Sequence, residues 1–234
     1  MVPFSFAGQE MRLVRARALF WPAENALLGA DLHLEKGSFF ARHGQMLPPY
    51  DSRETLERLA LALRETGARR VYCLGDSFHD RAGVDRMEPH AAGMLAALTR
   101  ATDWLWIAGN HDHASAAQAG GEVCDEVQVG GIRLRHEARA GETAPEISGH
   151  FHPRLTVTAR GRRIARPCFV ISGVVSCGQR MILPAFGALT GGMDAASPEI
   201  VGALQPASRI EALACSGAGG QDRLLRFPLW QSAA

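Results

Sequence analysis

The sequence predicts an α/β fold in which a largely parallel sheet is packed against a second, mixed or antiparallel one. Three observations point there. Apolar strand-like runs alternate with stretches of helical periodicity through the first half. Each of those runs ends in a polar cluster, as strands of parallel sheets do where they face a ligand. Beyond about residue 130 the chain changes to short strands broken by Gly and Pro.

In order, Asn25 to Ala30 form a short strand that ends at Asp31 and His33. Residues 51–66 place Leu56, Leu59 and Leu63 at helical spacing, with Asp51 or Ser52 as N-cap and Gly67 as the stop. Arg70 to Leu74 is β-branched and aromatic and runs into Gly75-Asp76. Residues 88–101 read as a helix with Pro89 in its first turn. Trp104 to Ala108 is the next strand, ending at Gly109-Asn110-His111-Asp112. In the second half, hairpins are expected at Gly130-Gly131 and Gly161-Arg162, and the tail from Ala214 carries a Gly/Ser patch and one last strand. All 234 residues are expected to form one domain, with no internal repeat.

Composition narrows the class. A hydrophobic fraction of 47% supports a sizeable core, and a formal net charge of +1 gives no bulk polyanion signal. Lys36 is the only lysine among 25 basic residues. That skew fits either arginine forks gripping phosphate or a codon bias. Cys73, Cys124, Cys168, Cys177 and Cys215 are odd in number and form no CxxC pair, which argues against a disulfide framework and a thiolate zinc site. The first residues do not read as a signal peptide, and no run of 18 apolar residues occurs. A cytoplasmic protein without membrane association is the expectation.

The polar residues at the strand ends are Asp31, His33, Asp76, His79, Asn110, His111, Asp112, His136, His150 and His152. They take up six of the nine histidines. Carboxylate, imidazole and carboxamide form the mixed oxygen and nitrogen donor set that suits Mn²⁺, Fe or Zn²⁺. On an extended segment i and i+2 share a face, so Asp31 and His33 can reach one ion, and His150-Phe151-His152 repeats the spacing.

Asp31-Leu32-His33, Gly75-Asp76, Gly109-Asn110-His111-Asp112, His136 and Gly149-His150-Phe151-His152 stand in the order of the five motifs of the calcineurin-like metallophosphoesterases, and the chain resembles that family. The resemblance implies a four-layer α/β/β/α sandwich of two mixed sheets. It implies that Asp31, His33, Asp76 and His152 ligate a first divalent metal, that Asp76 bridges, and that Asn110, His136 and His150 complete a second site. His111 would then protonate the leaving group, a role worth about 10²–10⁴ in rate. Two cations roughly 3.5–4 Å apart lower the pKa of a bridging water and clamp the phosphoryl oxygens during in-line attack.

One departure bears on the substrate. Where the family motif continues GDxxD, this chain has His79 in Gly75-Asp76-Ser77-Phe78-His79. That form is similar to the nuclease branch of the family, in which the histidine contributes to catalysis; the alternative is a supporting hydrogen bond only. The flanking segments, from about Ala26 to about Gly192, resemble the bacterial ligase-associated DNA damage response endonucleases. That likeness implies Mn²⁺-dependent DNA endonuclease activity in repair, linked to an ATP-dependent DNA ligase and a helicase. Glu35 stands where glycine is expected, and is expected to crowd or acidify the rim. Arg135 and Arg154, with Arg133, Arg139, Arg160, Arg162, Arg163 and Arg166, either track a phosphate backbone or form a solvated face. Phe39, Phe40 and Phe151 either stack on unpaired bases or pack in the core. Two other readings remain open, a nucleotide or cyclic-nucleotide phosphoesterase and a non-catalytic repair scaffold.

Overall fold

Apolar residues along the central strands fall alternately on two faces, and that period of two sorts the chain into layers. The computed structural model describes residues 1–234 apart from 16, 111–112, 160, 174–177, 217–222 and 233–234, and apart from the side chains of 113–115, 159 and 216. Strands β1 (Val2–Phe6), β2 (Gln9–Val14) and β3 (Ala18–Trp21) make an antiparallel meander that joins β4 (Ala26–Gly29). From β4 the direction becomes parallel. Helices α1 (Lys36–Arg42) and α2 (Asp51–Thr66) lead to β5 (Arg70–Leu74). Helices α3 (Gly83–Arg86) and α4 (Pro89–Ala101) lead to β6 (Asp103–Ile107), and α5 (His113–Gln118) leads to β7 (Glu122–Cys124). The seven strands lie side by side in chain order.

The second sheet begins with the hairpin of β8 (Glu126–Val129) and β9 (Ile132–Arg135), followed by β10 (Glu146–Ser148) parallel to β9. Strands β11 (Arg154–Ala159) and β12 (Arg162–Pro167) form a separate hairpin. Then come β13 (Phe169–Ser172), β14 (Arg180–Ile182), helix α6 (Pro198–Ala203), β15 (Arg209–Ser216) and β16 (Arg223–Gln231). The spatial order is β16-β15-β13-β14-β10-β9-β8, with β14, β10 and β9 parallel and the other pairings antiparallel.

The sheets pack face to face. Leu28, Tyr72, Leu74 and Ile107 point from the first into a shared core that Ile132, Ile147, Phe169, Ile171 and Met181 fill from the second. Their sequence neighbours Leu27, Val71, Cys73, Trp104 and Trp106 point the other way, onto Leu56, Leu59 and Leu63 of α2 and Ala91 and Leu95 of α4. On the far side of the second sheet Val170, Ile182 and Ile210 pack against Ile200 and Ala203 of α6 and the adjoining Leu204. The architecture is therefore α/β/β/α, with a fourth layer reduced to one short helix.

Several local expectations need correction. The antiparallel β1–β3 make the first sheet mixed, half of its pairings parallel and half antiparallel. Strand β6 starts one residue earlier than expected, at Asp103. Neither Asp51 nor Ser52 caps α2, because Tyr50 holds the cap position and both side chains turn to the start of α1 instead. Asp51 Oδ2 accepts from the Gly37 amide at 3.0 Å, and Ser52 Oγ accepts from the Glu35 amide at 2.8 Å. The hairpin at Gly130-Gly131 and the antiparallel pairing around Gly161 are present. No described helix is long and apolar enough to cross a membrane.

Leu28 is fully buried between the sheets. Leu28→Ala therefore lowers the free energy of unfolding by about 2–5 kcal/mol, read from urea titration followed by circular dichroism; a loss below 1 kcal/mol would mean that the intersheet layer is loosely packed.

Candidate metal centre

Parallel strands deliver their carboxyl ends to one edge, and here two sheets do so at the same place. The loops after β4, β5 and β6 bring Asp31 and His33, Asp76, and Asn110. From the second sheet, the residue after β9 is His136 and the loop after β10 brings His150 and His152. Asp31, His33 and His152 offer ligand atoms within 4.8 Å of one another, and Asp76, His136 and His150 do the same. Each cluster thus draws on both sheets.

Backbone conformation makes this convergence possible. Among the described residues nine non-glycine residues have positive φ, and six of them are Asp31, His33, Glu35, Asp76, His150 and His152. Such left-handed residues bend the chain sharply just past a strand, at a cost of about 1–3 kcal/mol each that the surroundings must offset. The expected extended Asp-x-His step is therefore corrected: Asp31 (φ 53°) and His33 (φ 44°) meet by loop curvature, not by strand alternation. His150 and His152 do not share a target, and go to different clusters.

Hydrogen bonds then fix each donor. Asp31 is fully buried, and both its oxygens accept from the His150 amide, at 3.2 and 2.9 Å. The Asn110 amide donates to Asp76 Oδ1 at 3.1 Å, while the Asn110 side chain stays exposed in a cleft beside His136 and Glu137. His136 Nδ1 sits 3.1 Å from the Leu74 carbonyl, which as an acceptor fixes Nδ1 as the protonated nitrogen and leaves Nε2 as a lone pair. That Nε2 faces His150 Nδ1 at 3.1 Å and Asp76 Oδ2 at 3.7 Å. In the other cluster His33 Nε2 and His152 Nε2 are 3.2 Å apart, with Asp31 Oδ1 at 3.5 Å from the latter. Burial first, then the nearby His152 and Lys36, push the His33 imidazole down to about 2, so it is neutral and its lone pair is available. Converging imidazole lone pairs beside carboxylates suit divalent cations of the Mn²⁺, Fe or Zn²⁺ kind.

Two glycines leave room for these groups. A Cβ at Gly109 would strike the Asp76 amide nitrogen and Oδ1, and one at Gly75 would strike the His136 ring.

A supporting network braces the loops after β4 and β5 against each other. Arg86 grips Asp80 with both terminal nitrogens, at 2.9 and 2.6 Å, and its Nε donates to Ser38 Oγ at 3.1 Å. Glu35 is buried, and its carboxylate accepts from Ser52 Oγ at 2.7 Å. It therefore neither crowds nor acidifies the rim, and its φ of 64° explains why glycine is expected at that position. Between the braced loops lies His79, half-buried, with its ring centroid 5.9 Å from His33, 4.6 Å from Phe39 and 5.5 Å from Phe40.

Other expected residues are placed differently. Arg135 lines the cleft by His136, yet it is only 3% exposed and is held by Glu126 at 3.0 Å, Glu146 at 3.1 Å and Glu142 at 3.6 Å. It belongs to the fold rather than to a substrate, and sequence could not separate the two because the partner carboxylates are scattered over 20 residues. Burial pushes the Glu146 carboxyl up, against the pull of Arg180 and Arg135. Arg154 is half-buried two residues past His152, with Nη2 donating to the Ala165 carbonyl at 3.2 Å. Phe151 packs against the core under α6. His111 lies outside the described residues, as do Asp112, Arg160 and Cys177. Helix α1 and the Arg86 brace are not legible in the sequence, since α1 carries no strong periodic signal and Arg86 acts through Asp80 and Ser38.

No protein-family model and no curated protein matches the sequence. Among solved structures the chain is similar to the nuclease MPE of Pseudomonas putida, with 29% identity, a TM-score of 0.70, and coverage of 95% of this chain and 98% of that one. It also aligns with the E. coli phosphoesterase YfcE at 14% identity and a TM-score of 0.39, over 81% of this chain and 87% of that one.

The close approaches at the centre are testable. Gly109→Ala displaces Asp76 and weakens metal binding about 10–100-fold in calorimetric titration, with the fold retained. Arg86→Ala lowers phosphodiesterase activity about tenfold, and Arg86→Lys does not restore it because an ammonium cannot fork onto Asp80; rescue by lysine would reduce the brace to a point charge. In its α/β/β/α fold the chain is similar to a solved nuclease, and the oxygen and nitrogen donors gathered at the edge of its two sheets are those of a metal-dependent phosphoesterase.

Proposed function

We propose that the protein is a DNA endonuclease of repair that hydrolyses phosphodiesters at a two-metal centre, with Mn²⁺ as the preferred ion. The observation that carries this reading is the pair of adjoining donor clusters, each drawn from both sheets. Asp31, His33 and His152 would hold one ion; Asp76, His136 and His150, with Asn110, would hold the other. Bound there, divalent cations activate a water at neutral pH and neutralise charge on the phosphoryl oxygens.

The chain's own groups do the rest. The Leu74 carbonyl and the His150 amide fix the tautomer of His136 and the orientation of Asp31, so the donors need little rearrangement as an ion enters. His79, held by Phe39, Phe40 and the His33 ring, stands at the edge of the first cluster, within reach of a phosphate seated there. Proton delivery to the leaving alkoxide falls to His111 by resemblance. Arg154, two residues past His152, is the cation offered to a substrate phosphate on that side.

Support for a polynucleotide substrate comes from two directions: the GDxFH form at His79, and likeness over nearly the whole chain to a protein described as a nuclease. The resemblance of the segments from about Ala26 to about Gly192 underlies a functional link with an ATP-dependent DNA ligase and a helicase, and the scattered cysteines underlie a cytoplasmic site of action.

The test incubates purified protein and Mn²⁺ with single-stranded DNA, duplex DNA and a panel of nucleotides and cyclic nucleotides. Internal cleavage of DNA is expected, abolished by EDTA and by Asp76→Asn, with His79→Ala lowering it about 10²-fold or more. Hydrolysis of nucleotides alone would sink the nuclease reading, and full activity in Asp76→Asn would sink the metal centre.

A further inference from the structure

Beside the first metal cluster lies a cleft of about 420 Å³ between α1 and the chain at 188–191. Phe40, Lys36, Gln45, Leu47 and Thr190 line it. The back of the Phe40 ring rests on His79 at 5.5 Å and 35°, and His79 in turn lies 5.9 Å from the His33 ring. Three rings in sequence thus connect the cleft to a metal donor. Phe40 is only half-buried, so part of its ring is left to the cleft.

The lining has a specific chemistry. Among the described residues no carboxylate lines the cleft. The single lysine of the chain stands at its wall and pairs with no carboxylate among the described residues. Gln45 is exposed, and its backbone is pinned by its amide, which donates to the Phe40 carbonyl at 2.9 Å. A carboxamide offers both a donor and an acceptor, the pattern that matches the edge of a heterocycle. The Thr190 hydroxyl is already committed to the Gly187 carbonyl at 3.0 Å. An aromatic wall, one free amide and one cation fit a planar, hydrogen-bonding group attached to a phosphate.

We infer that this cleft is a nucleobase subsite: the base next to the scissile phosphate stacks on Phe40, Gln45 meets its edge, and Lys36 takes the neighbouring phosphate. This rests on the nuclease reading and extends it to a base-holding position. Stacking against an aromatic side chain tolerates any base, because every base has a π-face. It requires a base free of its partner strand. Sequence preference at this position is accordingly slight, and unpaired nucleotides are favoured.

The experiment separates the subsite from the nuclease reading. Metal-stripped protein is titrated with a single-stranded oligothymidylate carrying one central 2-aminopurine, and cleavage with Mn²⁺ is then followed on the same strand and on one with abasic sites around the cut. Wild type is expected to quench the 2-aminopurine. Phe40→Leu, which keeps bulk against His79 but lacks a π-face, is expected to lose the quenching and raise KM about tenfold on the base-bearing strand. Gln45→Ala, at an exposed position, is expected to raise KM about threefold and serves if Phe40→Leu misfolds. On the abasic strand wild type and Gln45→Ala should have similar KM. Equal quenching and equal KM for wild type and both variants, with DNA still cleaved, would overturn the subsite alone. Failure of the wild type to cleave any DNA would overturn the nuclease reading itself.

Discussion

Two short contacts across the seam of the sheets hold the site in being. The His136 ring bonds to the Leu74 carbonyl, and the His150 amide bonds to the Asp31 carboxylate. Each joins a residue of the second sheet to one of the first, and each fixes a group that must point at an ion. The core alone could not do this. Packing of Leu28 and Tyr72 against Ile147 and Phe169 holds the sheets together but tolerates small slides, whereas a directional hydrogen bond does not. Bridging of Ala30 to Ala185, and the Phe186 amide bound to the Ala30 carbonyl at 2.8 Å, extend the seam along the same edge.

The left-handed residues are the cost of that arrangement. Six non-glycine positions in one corner hold a conformation that side chains avoid, and the molecule offsets the strain locally. Glu35 shows how: its amide and its carboxylate both bond to Ser52 Oγ, and its carbonyl lies within 3.5 Å of Arg86 Nη2. The same arginine ties down Asp80, next to His79. Backbone strain, the ion pair and the aromatic packing around His79 therefore form one mechanical unit that spans the loops after β4 and β5.

Much of this was legible in the sequence because strand-end residues come in short, ordered motifs. The runs ending at Asp31, Asp76 and Asn110 are strands, and the six clustered donors are residues read as ligands from their motifs. What escaped the reading depends on tertiary partners. Strands β1–β3 were missed because VPFSF and QEMRLV carry weak patterns that only the meander completes. Arg135 reads as a surface cation by type, yet three carboxylates up to 11 residues away neutralise it in the interior. Asp51 and Ser52 have the right chemistry for a cap but serve a loop 14 to 17 residues earlier, a distance no local rule covers.

Because neither donor cluster is complete within one sheet, an ion held by either would act as a clasp between layers. A ligand that binds the native state alone adds RT ln(1 + [L]/Kd) to stability, here applied across the very surface that must part on unfolding. Separation of the layers would then break both donor sets and release their ions. Divalent cations bound there would therefore slow the parting of the layers as well as serve the chemistry.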